Sequence, residues 1–481
     1  MPDDRPNVLV VMTDQQRFDT ISALGHDHLH TPNLDRLAER GVACTNAYSP
    51  APICVPARHV VRTGSEPSRT GYLGNDKRDA RHLEDTCGPF LARAMRERGY
   101  ETFGVGKFHA HPGDIDLGYD ERLGGGGYAR DVEESDRDGG RAGAMNFLPQ
   151  SCALDPEDRK MAWYADRGVE RIADREGPFF GVVSFGKPHP RFNPSPPFDD
   201  LYDPDDAPDP IRENRALDMA DEKIPAQNHH FWKAREDDTG AHTIRTTRAH
   251  YYGLITQLDR QIGRLLDAVE AREDAENTVV VFTSDHGELL GDHHGWGKTA
   301  MFEQSARVPF LVSWPAELPA GERYDGLVSL TDVFGVATGA AGEPDTRDGV
   351  DLLGAIRGEA DGRERLFAVH ETPHETSHFS LGPNFTAMVR EGDWKYVFMA
   401  NGGREQLFDL AADPEETENR VDDRRDVADD LRAALVAHLE RFDSPHVEDG
   451  ALREFPHEEL DMGRYLPDTY PDDPAAALDD I

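Results

Sequence analysis

Five short runs, most of them apolar and rich in β-branched residues, recur along the chain and have the length of strands. The first, at residues 7–12, shows no alternation with polar residues, which is typical of a strand buried on both faces of a parallel sheet. The predicted strands are residues 7–12, 102–106, 179–185, 278–283 and 308–314.

Between these strands, apolar residues recur three and four positions apart, which predicts helices. Thr31 caps one helix, Pro32 begins it and Gly41 ends it. Another helix covers residues 86–98, and a long one covers residues 246–271. Because strands alternate with helices over most of the chain, we predict an α/β fold with a large mixed, mainly parallel sheet sandwiched by helices.

The pattern changes after about residue 362, where short strands at 366–370, 386–390, 394–399 and 406–409 precede an amphipathic helix at 427–442. We predict a large α/β domain at residues 1–360 and a smaller C-terminal domain, an antiparallel sheet plus a helix, at residues 361–445. Residues 446–481 form an acidic, proline-rich tail that we expect to lie over the surface or to be partly disordered. Residues 118–143 are predicted to be a long irregular loop, and residues 194–210 an extended surface crossing.

The charge of the chain is extreme, with 92 Asp and Glu residues against 52 Lys and Arg, and a net charge of −40. That balance argues against nucleic acid and anionic membranes as partners. Because the acidic residues are spread along the chain, they predict a solvated acidic surface. We interpret it as a halophilic adaptation, in which salt screens the self-repulsion.

Two further patterns bear on location. No apolar stretch approaches the roughly 18 residues of a membrane span, and the N-terminus lacks the features of a signal peptide. The expectation is a cytoplasmic protein, although a matured chain without its signal would have the same pattern. The four cysteines (Cys44, Cys54, Cys87 and Cys152) show no C-x-x-C spacing, which argues against a zinc site and gives no disulfide framework.

Chemically capable side chains follow four of the predicted strands. They are Asp14, Lys107 with His109, His189, and Asp285 with His286. Strand ends of one sheet share an edge, so these groups can converge there. Each residue alone is also compatible with a purely structural role, since Asp14 and Asp285 could cap helices and the lysines could be solvated. The four clusters together favour a functional site.

Two kinds of chemistry are predicted at this edge. Carboxylates of Asp14 and Asp285, the amide of Gln15 and the imidazole of His286 form a mixed shell that suits Ca²⁺, Mg²⁺ or Mn²⁺ better than a closed zinc site. The positively charged or proton-carrying groups that could surround a tetrahedral anion are Lys107, His109, His189 and Lys298.

The stretch S-P-A-P-I-C-V-P-A-R-H-V-V-R-T-G surrounds Cys54. Pro56 is compatible with a first helical turn, so Cys54 is predicted at or just before a helix N-terminus. The helix dipole and the charge of Arg58 favour a thiolate and anionic ligands there. The alternative is a buried free cysteine beside a helix start.

Cys-X-Pro-X-Arg resembles the signature of type I sulfatases, in the alkaline phosphatase superfamily. Further landmarks of that family occur in order over most of the chain: N-V-L-V-V-M-T-D-Q, T-P-N-L-D-R-L-A-E-R-G, G-K-F-H, K-P-H-P, Y-Y-G-L-I-T-Q-L-D, S-D-H-G-E, R-E-G-D-W-K-Y and L-F-D-L. Any single block is a weak signal, whereas the ordered set is strong. The resemblance implies an alkaline phosphatase-like fold and makes residues 1–360 the catalytic domain.

The resemblance further implies that a maturation enzyme converts Cys54 to formylglycine, an aldehyde whose hydrate attacks sulfur and later releases sulfate. Arg58 would hold that hydrate, and Lys107, His109, His189 and Lys298 would bind and polarise the sulfate. It implies one divalent cation, Ca²⁺ before Mn²⁺ or Mg²⁺, with these ligands: Asp14, Gln15, Cys54, Asp285 and His286.

Two residues depart from the commoner family pattern, since Gln15 stands where a second Asp is frequent and His286 where Asn is frequent. This pair resembles the branch that contains choline sulfatases and phosphonate monoester hydrolases. The leading hypothesis is a sulfatase acting on a small sulfate monoester. The alternatives are a phosphonate monoester or phosphodiester hydrolase and a non-catalytic relative. The substrate and a homo-oligomeric state stay open, and the pocket walls are expected from residues 118–143, 229–232 and the C-terminal domain.

Overall fold

The computed structural model describes residues 4–75, 78–131, 149, 152–211, 238–372 and 384–456. Eight strands form one sheet: β1 Asn7–Asp14, β2 Val42–Tyr48, β3 Glu101–Gly106, β4 Glu121–Leu123, β5 Phe179–Pro188, β6 Thr278–Ser284, β7 Phe310–Ser313 and β8 Glu322–Ser329. Their order is β4-β3-β5-β1-β6-β7-β2-β8. Every neighbouring pair is parallel except the two pairs that β7 makes. The predicted α/β class with a mixed, mainly parallel sheet is therefore confirmed.

Helices cover both faces of this sheet. Along β1, Leu9 and Val11 belong to one hydrophobic cluster, whereas Val8, Val10 and Met12 belong to another on the opposite face. The helices of four or more residues in this part of the described chain are Pro32–Glu39, Cys54–Thr63, Pro67–Thr70, Leu83–Cys87, Leu91–Glu97, Gly125–Asp131, Lys160–Ala173, Asp238–Glu270, Glu303–Ala306, Asp332–Ala340 and Leu352–Arg357. Strands buried on both faces explain the unbroken apolar runs of the sequence.

A second, antiparallel sheet lies in the C-terminal part. It consists of β9 Arg365–Thr372, β10 Asn384–Glu391, β11 Trp394–Met399 and β12 Arg404–Asp409, in the order β12-β11-β10-β9. One face packs on the helix Arg425–Glu440 through residues such as Val389 and Leu435. The other face packs on the larger part of the protein, where Met388 and Val397 share a cluster with Met301 and Phe302.

Several predicted elements need correction. Residues 86–98 are not one helix, because Gly88 has a φ of 80° and Pro89 follows it, so the helix ends at Cys87 and a new one begins at Leu91. Thr31 precedes its helix as predicted, but its hydroxyl donates to the Asp35 carboxylate at 3.0 Å and accepts from the N–H of Ser22, so it does not cap an N–H of the helix.

The remaining differences concern extents. The long helix begins at Asp238, eight residues before its predicted start. The loop predicted at 118–143 contains β4 and the helix Gly125–Asp131, and its later residues lie outside the described ones, as do residues 229–232. The predicted tail begins with a short hairpin, Val447–Glu448 with Ala451–Leu452, while residues 457–481 lie outside the described chain. Among the described helices, none is both long and apolar enough to cross a bilayer.

Candidate active site

The site lies where three neighbouring strands, β5, β1 and β6, end at the same edge of the sheet. Thr13 pairs with Ser284, so Asp14 and Asp285 leave adjacent strands at one level. The backbone N–H of Gln15 donates to Oδ1 of Asp285 at 3.1 Å, and the N–H of His189 donates to the carbonyl oxygen of Asp14 at 2.9 Å. The predicted convergence of the strand-end clusters therefore occurs.

Cys54 is the first residue of the helix Cys54–Thr63, whose C-terminus is set by Gly64 at a φ of 64°. Its Sγ lies 3.2 Å from Nε2 of His286, 3.2 Å from Nζ of Lys298 and 3.9 Å from Oδ1 of Asp14. The side chain is 1% exposed. The helix start thus directs the cysteine toward the place where the strand ends meet. There it contacts an ammonium group, a carboxylate and an imidazole.

Arg58, one helical turn after Cys54, joins the two carboxylates. Its Nε donates to Asp285 at 2.8 Å and its Nη2 to Asp14 at 2.9 Å. Nη1 donates to Ser184 Oγ at 2.7 Å and to the carbonyl oxygen of Lys107 at 2.6 Å. The guanidinium is fully buried, so its geometry is fixed by these four acceptors.

Lys107 and His109 follow β3. Nζ of Lys107 lies 2.7 Å from Oδ2 of Asp14. Burial lowers the pKa of His109, and the neighbouring Cys54 partly offsets this effect. Gly106, between β3 and Lys107, has a φ of 115°, and a Cβ there would lie 1.9 Å from the carbonyl oxygen of Ser184. Only glycine permits this close approach of β3 to β5, which delivers Lys107 to the site.

Lys298 and His189 complete the set. Nζ of Lys298 donates to Oε1 of Gln15 at 2.7 Å, and Lys298 is 6% exposed, so it is not a solvated surface lysine. Nδ1 of His189 donates to the carbonyl oxygen of Pro190 at 2.9 Å, and Nδ1 of His286 donates to that of Gly287 at 2.9 Å. Both imidazoles therefore present Nε2 as the acceptor or ligand nitrogen.

Charge and burial shape the titration of these groups. Burial and the neighbouring Asp14 raise the pKa of Asp285 to about 6. Burial opposes ionisation of Asp14 as well, but Lys107, His189 and Arg58 lower its pKa well below the usual value. The thiol pKa of Cys54 is also lowered, because Lys298 and Lys107 outweigh its burial and the charge of Asp14. One carboxylate and a thiolate are thus held as anions inside a cationic ring.

The donor set fits a divalent cation. Asp14, Cys54, Asp285 and His286 each offer a ligand atom, all four atoms lie within 4.8 Å of one another, and all four residues are buried. Oxygen, nitrogen and sulfur donors of this kind can bind a divalent transition metal as well as a hard cation. Gln15 Oε1 faces the same point, since Lys298 Nζ contacts both this oxygen and Cys54 Sγ.

The structure brings all ten predicted site residues together and adds three that the sequence reasoning missed. Ser184 accepts from Arg58, Asn75 Oδ1 accepts from the backbone N–H of Val55 at 2.9 Å, and Glu288 hydrogen-bonds the amide of Gln15. Glu288 stands in the S-D-H-G-E block two residues after His286, which was an available signal. Asn75 has no such signal.

Comparisons with known proteins agree with this geometry. A family model described as "Sulfatase" matches residues 6–343, and one described as "N-sulphoglucosamine sulphohydrolase, C-terminal" matches residues 291–444. The choline-sulfatase of Rhizobium meliloti (strain 1021) is 30% identical over 504 residues, which cover 97% of this chain and 94% of that protein. The arylsulfatase of Clostridium perfringens is 27% identical over 472 residues, covering 91% and 95%.

Among solved structures, the phosphonate monoester hydrolase of Agrobacterium radiobacter superposes with a TM-score of 0.74 at 26% identity, covering 91% of this chain and 96% of that one. The first family model spans well over half of the chain, and the Rhizobium relative covers nearly all of it. The chain therefore belongs to the sulfatase family, as a type I sulfatase of the alkaline phosphatase superfamily.

Proposed function

We propose that this protein hydrolyses a small sulfate monoester to an alcohol and inorganic sulfate, with a formylglycine made from Cys54 and one divalent cation. The observation that carries the proposal is the position of Cys54. The thiol is buried at a helix N-terminus, in contact with Lys298, His286 and Asp14 at once. A cysteine that served only packing would lie among apolar side chains, and not against an ammonium group, an imidazole and a carboxylate.

The cation would be held by Asp14, Gln15, Asp285, His286 and residue 54, and it would polarise the sulfate oxygens when bound. Two carboxylates make Ca²⁺ a suitable ion. The imidazole of His286 and the neutral amide of Gln15 bring Mn²⁺ and Mg²⁺ into competition with it. The aldehyde made from Cys54 would supply a nucleophilic hydrate that can release sulfate and re-form.

The remaining residues would bind the anion and move protons. Lys298 contacts Cys54, and Lys107 contacts Asp14, which itself lies beside Cys54; both lysines would neutralise the non-bridging sulfate oxygens. Arg58 would hold the carboxylates of Asp14 and Asp285 in a fixed orientation. His109, whose pKa responds to the neighbouring Cys54, would exchange a proton with residue 54, and His189, whose Nδ1 is taken by Pro190, would serve the leaving oxygen through Nε2.

The decisive experiment uses purified protein matured by a formylglycine-generating enzyme, which we propose recognises C-V-P-A-R. The expected result is release of inorganic sulfate from aryl or alkyl sulfates in the presence of Ca²⁺ or Mn²⁺. A mass measurement of the peptide across Cys54 first establishes whether the thiol has become an aldehyde. Fully converted protein that releases no sulfate from any of these esters would refute the proposal.

A second candidate function is hydrolysis of phosphonate monoesters or phosphodiesters on the same scaffold. It is favoured by the pair Gln15 and His286 and by the likeness to the Agrobacterium phosphonate monoester hydrolase. Turnover of matched sulfate and phosphonate esters that share one leaving group separates the two functions. A larger kcat/KM for the phosphonate would replace the first proposal with the second.

A further inference from the structure

Glu288 is a buried carboxylate that none of the roles above uses. It is 0% exposed and lies two residues after His286. Its Oε1 accepts from the backbone N–H of Leu290 at 3.0 Å and from the N–H of Gly297, and its Oε2 accepts from Nε2 of Gln15. One side chain thus joins the end of β1 to the loop that carries Lys298.

These contacts decide which way the amide of Gln15 faces. A carboxylate can only accept from the amide, and the ammonium of Lys298 can only donate to it. The NH₂ group of Gln15 must therefore face Glu288, and its oxygen must face Lys298 and Cys54, as observed. The backbone of Gln15, at a φ of 71°, is held separately, because the hydroxyl of Tyr251 donates to its carbonyl oxygen at 2.7 Å.

The Glu288 carboxylate also fixes the backbone next to Lys298. Gly297 directly precedes Lys298, so the hydrogen bond from its N–H to Glu288 anchors the backbone from which Lys298 reaches the site. The three N–H donors that meet Glu288 come from the end of β1 and from the loop before Lys298. A buried carboxylate with these partners has a defined orientation and little freedom to change it.

We propose that Glu288 is a positioning residue that keeps the Gln15 oxygen turned toward the cation and Lys298 turned toward the substrate anion. This inference rests on the proposed function, in which Gln15 is a cation ligand. It predicts that the acceptor character of Glu288, and not its volume, matters, because a donor at that position would force the Gln15 amide to rotate.

The test uses three variants. In Glu288→Gln, Oε1 still accepts from the two backbone donors, so Nε2 of the new side chain meets the NH₂ group of Gln15 and the amide must turn its NH₂ toward the cation. The double variant Gln15→Glu with Glu288→Gln restores a donor facing an acceptor and keeps an oxygen toward the cation. Glu66→Gln is the matched control, because Glu66 is a buried glutamate that lies beside Asp348.

The primary measurement is Mn²⁺ and Ca²⁺ affinity of the purified protein by calorimetry, which needs no turnover. We expect Glu288→Gln to weaken cation binding about 10–100-fold, as loss of an orienting partner of a ligand does elsewhere. The double variant should recover most of that loss and favour Ca²⁺ more than the wild type does. The control should bind as the wild type does. A crystal structure of Glu288→Gln should have the Gln15 amide rotated.

Unchanged cation affinity in a folded Glu288→Gln protein would overturn the proposal, as would a double variant that folds but recovers nothing. A purely structural role would lower the melting temperature without cation and leave the affinity unaffected, which also counts against it. If the wild type binds the cation but hydrolyses no sulfate ester, the proposed function fails. The cation affinities of the variants still test the role of Glu288 in that case.

Discussion

Nε2 of His286 lies 3.2 Å from Sγ of Cys54, although 232 positions separate the two residues. The contact is directed, because Nδ1 of His286 donates to the carbonyl oxygen of Gly287 and Nε2 is the ring nitrogen left to meet the sulfur. A strand end and a helix start therefore share one chemical centre. The charges and hydrogen bonds around that centre make its stability and its chemistry depend on a few buried side chains.

Substitution of Arg58 by Met should destabilise the protein by about 3–5 kcal/mol, because Asp14 and Asp285 would remain buried side by side without the guanidinium that joins them. Added Mn²⁺ should restore part of the loss by taking over the two carboxylates. Urea unfolding with and without Mn²⁺ measures both effects.

The matched control for this variant is Arg365→Met, since Arg365 is 43% exposed and pairs with Glu391 at the surface. Its loss should cost no more than about 1 kcal/mol. An Arg58→Met protein as stable as this control would contradict the joining role.

Removal of divalent cations should lower the melting temperature of the wild type, and restoring them should raise it. A ligand at about 100 times its Kd adds about 2.7 kcal/mol to the free energy of unfolding. Asp285→Asn should largely lose this response, because Asp285 is one of the four converging ligand residues. Differential scanning calorimetry in EDTA and in Mn²⁺ measures it, and an identical shift in the variant would exclude Asp285 as a ligand.

Substitution of Cys54 by Ser should convert catalytic turnover into a single event. The hydroxyl can take the sulfuryl group but has no second hydroxyl with which to expel it. Rapid mixing with an aryl sulfate should give a burst of phenol no larger than the enzyme concentration, followed by a stall. Sustained turnover in this variant would argue against the aldehyde chemistry, and Cys54→Ala should show neither burst nor turnover.

Lys395, on β11 of the small sheet, joins that sheet to residues 301–303 of the larger part. Its Nζ is fully buried, lies 2.8 Å from Glu303 Oε1, contacts Glu416 and donates to the carbonyl oxygen of Met301 at 2.8 Å. Lys395→Met should destabilise the protein by about 3–5 kcal/mol, because the buried carboxyl groups of Glu303 and Glu416 lose the ammonium group that both contact. Among the described residues, Glu303 then keeps only the more distant cations Arg307 at 3.3 Å and Arg390 at 3.9 Å. Adding Glu416→Gln should recover part of that loss in urea unfolding. A double variant less stable than the single one would contradict this account.

Stability should fall between pH 6.5 and about 4 because of two histidines in the C-terminal part. Burial lowers the pKa of His370 to about 4 and that of His438 to about 3, against 6.5 for an ordinary histidine. Below pH 6.5 the unfolded chain therefore binds protons that the folded protein does not, so unfolding becomes easier as pH falls. Each histidine should cost about 1.6 kcal/mol on going from pH 6.5 to pH 5, because half of the unfolded-state histidine is already protonated at pH 6.5.

Urea unfolding of the wild type and of His370→Asn with His438→Asn at these two pH values measures that loss. The double variant should lose about 3 kcal/mol less than the wild type over the same interval. Parallel pH profiles for the two proteins would refute the assignment.

Much of the fold could be predicted from local pattern. The runs at residues 7–12, 179–185 and 278–283 are apolar because their strands are covered on both faces, and this signal does not depend on the rest of the chain. The strands Val42–Tyr48 and Glu322–Ser329 were missed, because the first mixes polar with apolar residues and the second is largely exposed near its start. Gly88 and Pro89 divide the helix predicted at 86–98. They were a local signal for a helix break, but the prediction gave more weight to the apolar spacing.

The sequence by itself determined the α/β class, the cysteine at a helix start and the ten side chains that gather at the sheet edge, because strand ends and turn residues mark such positions locally. Only the tertiary structure decided how these groups pair. That Arg58 joins Asp14 to Asp285, and that Glu288 orients Gln15, depends on which strands are neighbours and on the direction of each hydrogen bond. Those relations are set by the packing of segments more than 200 residues apart, and no local pattern encodes them.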